Sequence, residues 1–549
     1  MYRATIGCLL LLCVALINAQ SVSYDFSVPY VGGHQLSIKN SGSGNIVMAK
    51  LIFESNAVIS GTPYGDLWNN NAAISSTSSG NGVTYIYTVT WGTSGFTLSS
   101  GQSSSMTYTF SNNGGPLQPL GMNPISVSVV PKGASNPITA GVEGACKGSA
   151  CNNPTPGYRV VGYYTDWDMY ERSYLPSDLP IDKINEVNYA FLNFDLDGNL
   201  VLYDTNSDPQ QLPRLSLLKQ QYPYLRLYLS IGGWTLSNDF STVAASTSAT
   251  QNFAKQCADA LIQTGFDGID IDWEYPVVRE GSPADAKNFP NFLSAIREAI
   301  DAAAQSESLR TGAAVKYYLS FAASAGIDKI EAVSKLNPGA WAQVQQAVDF
   351  ANVMAYDFHG AFDEPNPSDF LAPLYISPHD PYIDNATIGK YDCNDGMNDW
   401  INVGFNKSQL ALGIPLYGRS VTVQSMGNTH GLWQPITGCP SGEFDSTGLF
   451  DYRCIIAGEC YGSPLPAGTT LLPAAQNPIA NYSMEPIGYN PSGNFFISYD
   501  DAASATIKAT FVVTRGYNGI MMWTYSGDVP INNPNSIINA VYKVFTNTN

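Results

Sequence analysis

Two rhythms of apolar and polar positions divide the chain. From residue 20 to about 132, apolar residues alternate with Ser, Thr and Asn in short runs broken by Gly, Ser and Asn. The clearest runs are 34–39, 46–53, 83–91, 106–110 and 125–130. Period-two alternation marks half-buried strands, and their turn-rich spacing predicts an all-β sandwich over 20–132. Residues 133–157 have no periodicity and are rich in Gly, Ala, Pro and Asn, which predicts a linker. From residue 158 the rhythm becomes strand then helix, repeated. Candidate strands are 159–164, 186–194, 226–231, 268–273, 317–323, 350–356, 409–414 and 519–523. The clearest helix, 248–264, has a Ser/Thr start and Gly265 just past its end. Eight strands with intervening helices predict an α/β fold, a (β/α)8 barrel filling 158–549. Residues 362–399 lengthen the loop after the sixth strand. Residues 420–495 form a small α+β insertion between strands seven and eight.

Composition narrows the picture. Residues 1–19 carry Arg3, an apolar run from 6 to 17 and a small-residue end at Ala19, the pattern of a cleaved secretory signal. No later run is long and apolar enough to span a bilayer, so an exported protein with no membrane partner is expected. Of nine cysteines, Cys8 and Cys13 fall in the leader. The remaining seven leave one over if the rest pair. Cys257, at i, i+4 spacing from Phe253 and Leu261, is the expected buried thiol, and Cys146 and Cys151 are close enough to close a small loop. Asn385, Asn406 and Asn481 stand in glycosylation sequons. A net charge of -19 argues against a nucleic-acid partner. His34, His359, His379 and His430 show no metal-ligand spacing, so no metal and no cofactor are expected. A low charge content, 13%, beside 12% aromatics suits a neutral, hydroxyl-rich, ring-shaped substrate. In the first domain Val83, Tyr85, Tyr87, Val89 and Trp91 share a strand face. They are either sandwich core or, with Tyr64 or Trp68, a flat platform for sugar rings.

The chemistry concentrates in 266–276, FDGIDIDWEYP. Alternate strand residues share a face, so Asp270, Asp272 and Glu274 line up about 7 Å apart, from two residues of rise. Asp267 is out of phase and suits a turn or capping role. Pro276 cannot continue a central ladder, which puts Glu274 at the strand's C-terminal end. Three carboxylates crowded on one buried face raise at least one pKa. Barrel enzymes build their sites at these strand ends. There the sequence offers Tyr163, Trp167, Phe191, Ser230, Gly232, Gly233, Trp234, Met354, Tyr356, Asp357, Tyr417, Arg419, Met521 and Trp523, an aromatic rim fit for a sugar cleft.

The stretch Asp267–Glu274 resembles the DGxDxDxE signature of family 18 glycoside hydrolases, the chitinases. Ser230-Ile231-Gly232-Gly233 is similar to the family's SxGG. Met354-Ala355-Tyr356-Asp357, Leu416-Tyr417-Gly418-Arg419, Tyr499-Asp500-Asp501 and Met521-Met522-Trp523 resemble its later motifs, in order. The resemblance implies retaining, substrate-assisted hydrolysis of β-1,4 bonds between N-acetylglucosamine units, an exception to the two-carboxylate scheme. It implies that Glu274 is general acid and base, that Asp272 orients the acetamido group, and that Asp270 shares a proton with Asp272. Tyr356 would donate to the acetamido oxygen, and Asp357 would bond the sugar or Asp272. Trp523 would floor the reacting sugar. Tyr163, Phe191, Trp234, Met354, Tyr417, Arg419 and Met521 would line the cleft, although Arg419 could instead pair a structural carboxylate. Phe362 stands where many members carry Trp, which puts one leaving-side subsite in doubt. The expected partners are chitin and its oligomers, cut by endo action, and the chain is expected to work as a monomer. Residues 38–42 and 98–103 loosely resemble cellulose-binding-type modules, which implies cellulose or chitin binding by the sandwich. A lectin is the rival from another class, but such relatives generally replace the residue at Glu274. An endo-N-acetylglucosaminidase is the other rival.

Overall fold

The computed structural model describes Cys146 and residues 148–547, apart from 280 and 445–446, and gives backbone strands only between 21 and 142. Those strands pair into two five-stranded sheets. One runs Gly141–Val142, Ser21–Tyr30, Gly33–Asn40, Ser103–Ser111, Val58–Tyr64, and the other Ala73–Ser78, Tyr85–Trp91, Ile46–Ser55, Asn123–Pro131, Ile138–Thr139. Each of the five expected runs coincides with one of these strands. The leader, and the side chains of Tyr64, Trp68, Val83, Tyr85, Tyr87, Val89 and Trp91, lie outside the described residues.

The second rhythm folds as expected. Its strands are β1 (Arg159–Thr165), β2 (Glu186–Phe194), β3 (Arg226–Gly232), β4 (Gly268–Asp272), β5 (Tyr318–Ser324), β6 (Phe350–Met354), β7 (Leu410–Pro415) and β8 (Gly519–Trp523). All neighbours are parallel, and β1 pairs with both β2 and β8, which closes an eight-stranded barrel. Helices cover the outside. Helix Thr247–Thr264 starts where Ser246 Oγ accepts Ala249 N–H and stops at left-handed Gly265, and it buries Phe253, Cys257 and Leu261.

Alternation sorts each strand. Ile269 and Ile271 point outward and are fully buried under helices, while Asp270 and Asp272 point inward. The N-terminal end of the barrel is plugged by charge: Arg159 Nη1 lies 2.6 Å from both Glu186 oxygens, and Arg226 Nη1 lies 3.2 Å from Oε1. Arg159 also sits 3.9 Å over the Phe350 ring. A buried charge needs such a partner.

Three expectations shift. The insertion runs wider than 420–495, because its antiparallel sheet starts at Tyr417–Val423 and ends at Phe495–Tyr499. It is seated on the barrel by the buried Lys508, which donates to Ala372 O (2.6 Å) and Asp500 Oδ2 (2.5 Å). The end of the expected linker is fastened to the barrel, since Asn185 Nδ2 donates to Asn153 Oδ1, Thr155 Oγ1 and Tyr158 O. Among the described residues the cysteines form two bridges, Cys146–Cys151 and Cys454–Cys460. Cys257 and Cys393 are both buried free thiols, so more than one cysteine is left over. Among the described residues, one group of His, Cys, Asp and Glu side chains has metal-site spacing, Glu443 with Cys454 and Cys460. The bridge uses both of its sulfurs. No described helix is long and apolar enough to cross a membrane.

Candidate active site

The C-terminal strand ends open into a cleft of about 950 Å³, lined by Tyr163, Trp167, Phe191, Trp234, Asp272, Glu274, Met354, Tyr356, Asp357, Phe362, Tyr417, Arg419 and Trp523 among others. Of the catalytic and cleft-lining residues that the family resemblance implies, all but two are in that lining. Asp270 and Met521 lie beneath it, both fully buried. Trp523 forms the floor against Phe191 (centroids 5.6 Å apart, 23° between planes) and Tyr163 (5.0 Å). At the mouth Phe362 is 60% exposed, with the Arg419 guanidinium 5.6 Å over its ring. The peptides Ala190–Phe191, Glu274–Tyr275 and Trp523–Thr524 are cis.

The three carboxylates of the β4 stretch have different surroundings. Asp270 accepts four hydrogen bonds, from Tyr163 OH (2.8 Å), Ser230 Oγ (2.9 Å), Ser320 Oγ (2.6 Å) and Asn352 Nδ2 (3.3 Å). Burial raises its pKa, and those donors oppose the rise. Four donors thus match the roughly four acceptor sites of a carboxylate. Asp272 is 3% exposed, and its Oδ1 is buried with no hydrogen-bond partner among the described residues. Burial first, then Glu274 and Asp270, hold its carboxyl well above the usual range. Glu274 lies two residues past the strand, with burial pushing its carboxyl up to about 7 and Asp357 adding to the rise. Tyr275 and Arg279 oppose it.

Asp357 sits at the cleft among its own partners. It holds a left-handed φ of 57° and accepts from Tyr417 OH (2.7 Å), Arg419 Nε (2.5 Å) and Arg419 Nη2 (2.8 Å). It thus holds a fork-shaped ion pair, and Arg419 pairs a cleft carboxylate. Tyr356 OH points at Met521 Sδ, 3.7 Å away. Burial and the Asp272, Asp357 and Glu274 carboxyls raise its pKa well above the usual value, so it stays a proton donor. Asp267 faces out, where its carboxylate takes Lys219 Nζ and Leu227 N–H.

Sequence reasoning missed several supports. Ser237 donates to Gly233 O (2.9 Å) and Asp272 O (3.2 Å) and accepts Glu274 N–H (2.9 Å). Ser320 and Asn352 complete the Asp270 cradle from β5 and β6. Their inward phase in their strands was the one available signal. The SxGG stretch has a steric reason: Gly232 and Gly233 have φ of 109° and 85°. An added Cβ would lie 2.3 Å from Asp272 O at the first and 2.6 Å from the Phe191 ring at the second.

A closed parallel barrel with buried acids at the floor of an aromatic cleft defines a glycoside-cleaving class of enzyme. The profile of glycosyl hydrolases family 18 matches residues 159–528, and the chain belongs to that family as a glycoside hydrolase. It is 31% identical over 387 residues to Chitinase 1 of Aphanocladium album, covering 67% of this chain and 82% of that protein. It is also 31% identical to Endochitinase 1 of Metarhizium robertsii, covering 68% and 82%. Among solved structures, chitinase ChiA74 of Bacillus thuringiensis superposes with a TM-score of 0.61 at 27% identity, over 71% of this chain and 70% of that one.

Proposed function

We propose that this enzyme is a chitinase that hydrolyses β-1,4 bonds between N-acetylglucosamine units with retention, the substrate's own acetamido oxygen acting as nucleophile. The observation that carries the reading is the pairing of Glu274 with Asp272. A carboxyl held up to about 7 is protonated in part at neutral pH and suits a general acid that later turns base. Beside it, the unpartnered Asp272 Oδ1 suits the acetamido N–H as its missing donor. The Tyr356 hydroxyl supplies a donor for the carbonyl. Asp357, the rival nucleophile, is already bonded by Tyr417 and Arg419, which favours the substrate over the enzyme as attacking group. The relatives named as chitinases support the substrate class.

The test is a time course on a reducing-end-labelled N-acetylglucosamine hexamer beside its deacetylated counterpart. Cleavage of the first alone agrees with the reading; equal cleavage of both defeats it. We infer secretion from the leader pattern of residues 1–19 together with two disulfides, which belong to an oxidising compartment. The N-terminal sheets are proposed to bind polysaccharide. Unchanged retention on chitin and cellulose beads after deletion of residues 20–133 would rule that out.

A further inference from the structure

The loop leaving β4 carries a charged residue that the reaction above does not use. The Arg279 guanidinium lies 3.9 Å over the Trp234 ring, and its Nη1 donates to the Trp234 carbonyl oxygen. One side chain thus holds both the indole and its backbone. Trp234 is 58% exposed and lines the cleft. It follows two glycines in the left-handed region, so its own backbone does little to fix the ring. A guanidinium plane against one face of an indole is a cation–π contact that removes this freedom.

The loop is itself anchored. Asp285 Oδ2 accepts Val277 N–H (3.1 Å) and Ser282 N–H (2.7 Å), and its Oδ1 accepts Ser241 Oγ (2.7 Å). Arg279 N–H reaches Tyr275 O at 3.3 Å. Arg279 therefore stands on a fixed stem beside the rim indole and lines the same cleft as Glu274.

We propose that Arg279 is a positioning residue: it sets Trp234 as a sugar-stacking platform and keeps a positive charge in the cleft that also holds the Glu274 carboxyl. The inference rests on the reading of Glu274 given above. The groups facing Glu274 are Asp272 on β4, Tyr275 and Arg279 on the loop after it, and Tyr356 and Asp357 after β6. The Asp357 charge is met by Arg419, and residue 280 lies outside the described residues. Arg279 is the cation that lowers the Glu274 pKa against burial and Asp357.

The experiment compares wild type, Arg279→Gln and Arg279→Lys for kcat and KM on the N-acetylglucosamine hexamer across pH. Loss of the stacked fork raises KM about 3- to 10-fold in both variants, with kcat changed far less. The alkaline limb of kcat/KM moves up by roughly half a pH unit in Arg279→Gln, which has lost the charge, and stays in place in Arg279→Lys. A purely structural role would not separate the two variants in this way. Unmoved KM in both variants, an unmoved limb in Arg279→Gln, or an equal shift in both overturns the proposal. Wild type that leaves the hexamer uncut would withdraw the Glu274 reading and this inference with it.

Discussion

Asp270, Asp272 and Glu274 are spaced alike along the chain, yet each meets a different environment. Asp270 is saturated by hydroxyl and amide donors, Asp272 lacks a partner at one oxygen, and Glu274 borders the cleft. The Glu274→Gln variant should lose roughly 10³-fold or more in kcat while still binding oligomers, read by steady-state rates and calorimetric titration. The same change should stabilise the fold at neutral pH. A carboxyl raised from 4.5 to about 7 in the folded state binds its proton more tightly folded than unfolded. Wild-type stability therefore falls as pH rises through that window, and the glutamine escapes the loss. Melting temperatures at pH 4 and pH 8 check this: the variant's advantage should appear only at the higher pH. Asp270→Asn should behave oppositely. An amide nitrogen cannot accept from the donors around it, so a loss of about 2–4 kcal/mol is expected, measured by chemical denaturation. The acidic triplet was legible because carboxylates alternating with Ile have no reason to exist in an inert strand. Ser237, Ser320 and Asn352 were not, since Ser and Asn are common and their meaning comes from strands brought together only by folding. The Asp357–Arg419 pair was hidden for the same reason.

The alternating and continuous apolar runs carried the elements well. All eight barrel strands sit where the runs predict, because a parallel strand covered on both faces reads as a bounded apolar segment. Their ends were less legible. β4 stops at Asp272, and the Glu274 carboxyl lies on the turn beyond it. The insertion sheet also borrows Tyr417–Val423 directly after β7, so polarity alone could not mark its start. The close passage at the SxGG turn gives an element-scale prediction. Gly233→Ala must displace the Phe191 ring 2.6 Å away and adopt a strained φ of 85°. It should lower stability by about 1–3 kcal/mol and raise KM through the displaced Phe191, as thermal melts and oligomer kinetics would record.

For the whole molecule, the barrel supplies a rigid circle of strand ends, and the insertion is locked to it by Lys508 and Asp500, both fully buried. Lys508→Met leaves Asp500 uncompensated in the interior and should cost about 3–5 kcal/mol, a value denaturant titration would give. The acidic surface, net -19, leaves a neutral polymer free to approach and disfavours polyanions. In the proposed reaction the substrate's acetamido group, rather than a free water, makes the first attack with Glu274 as acid. Proton NMR of the first products from the N-acetylglucosamine hexamer, recorded before mutarotation, tests it most directly. New reducing ends are expected in the β configuration; α ends would rule out attack by the acetamido group.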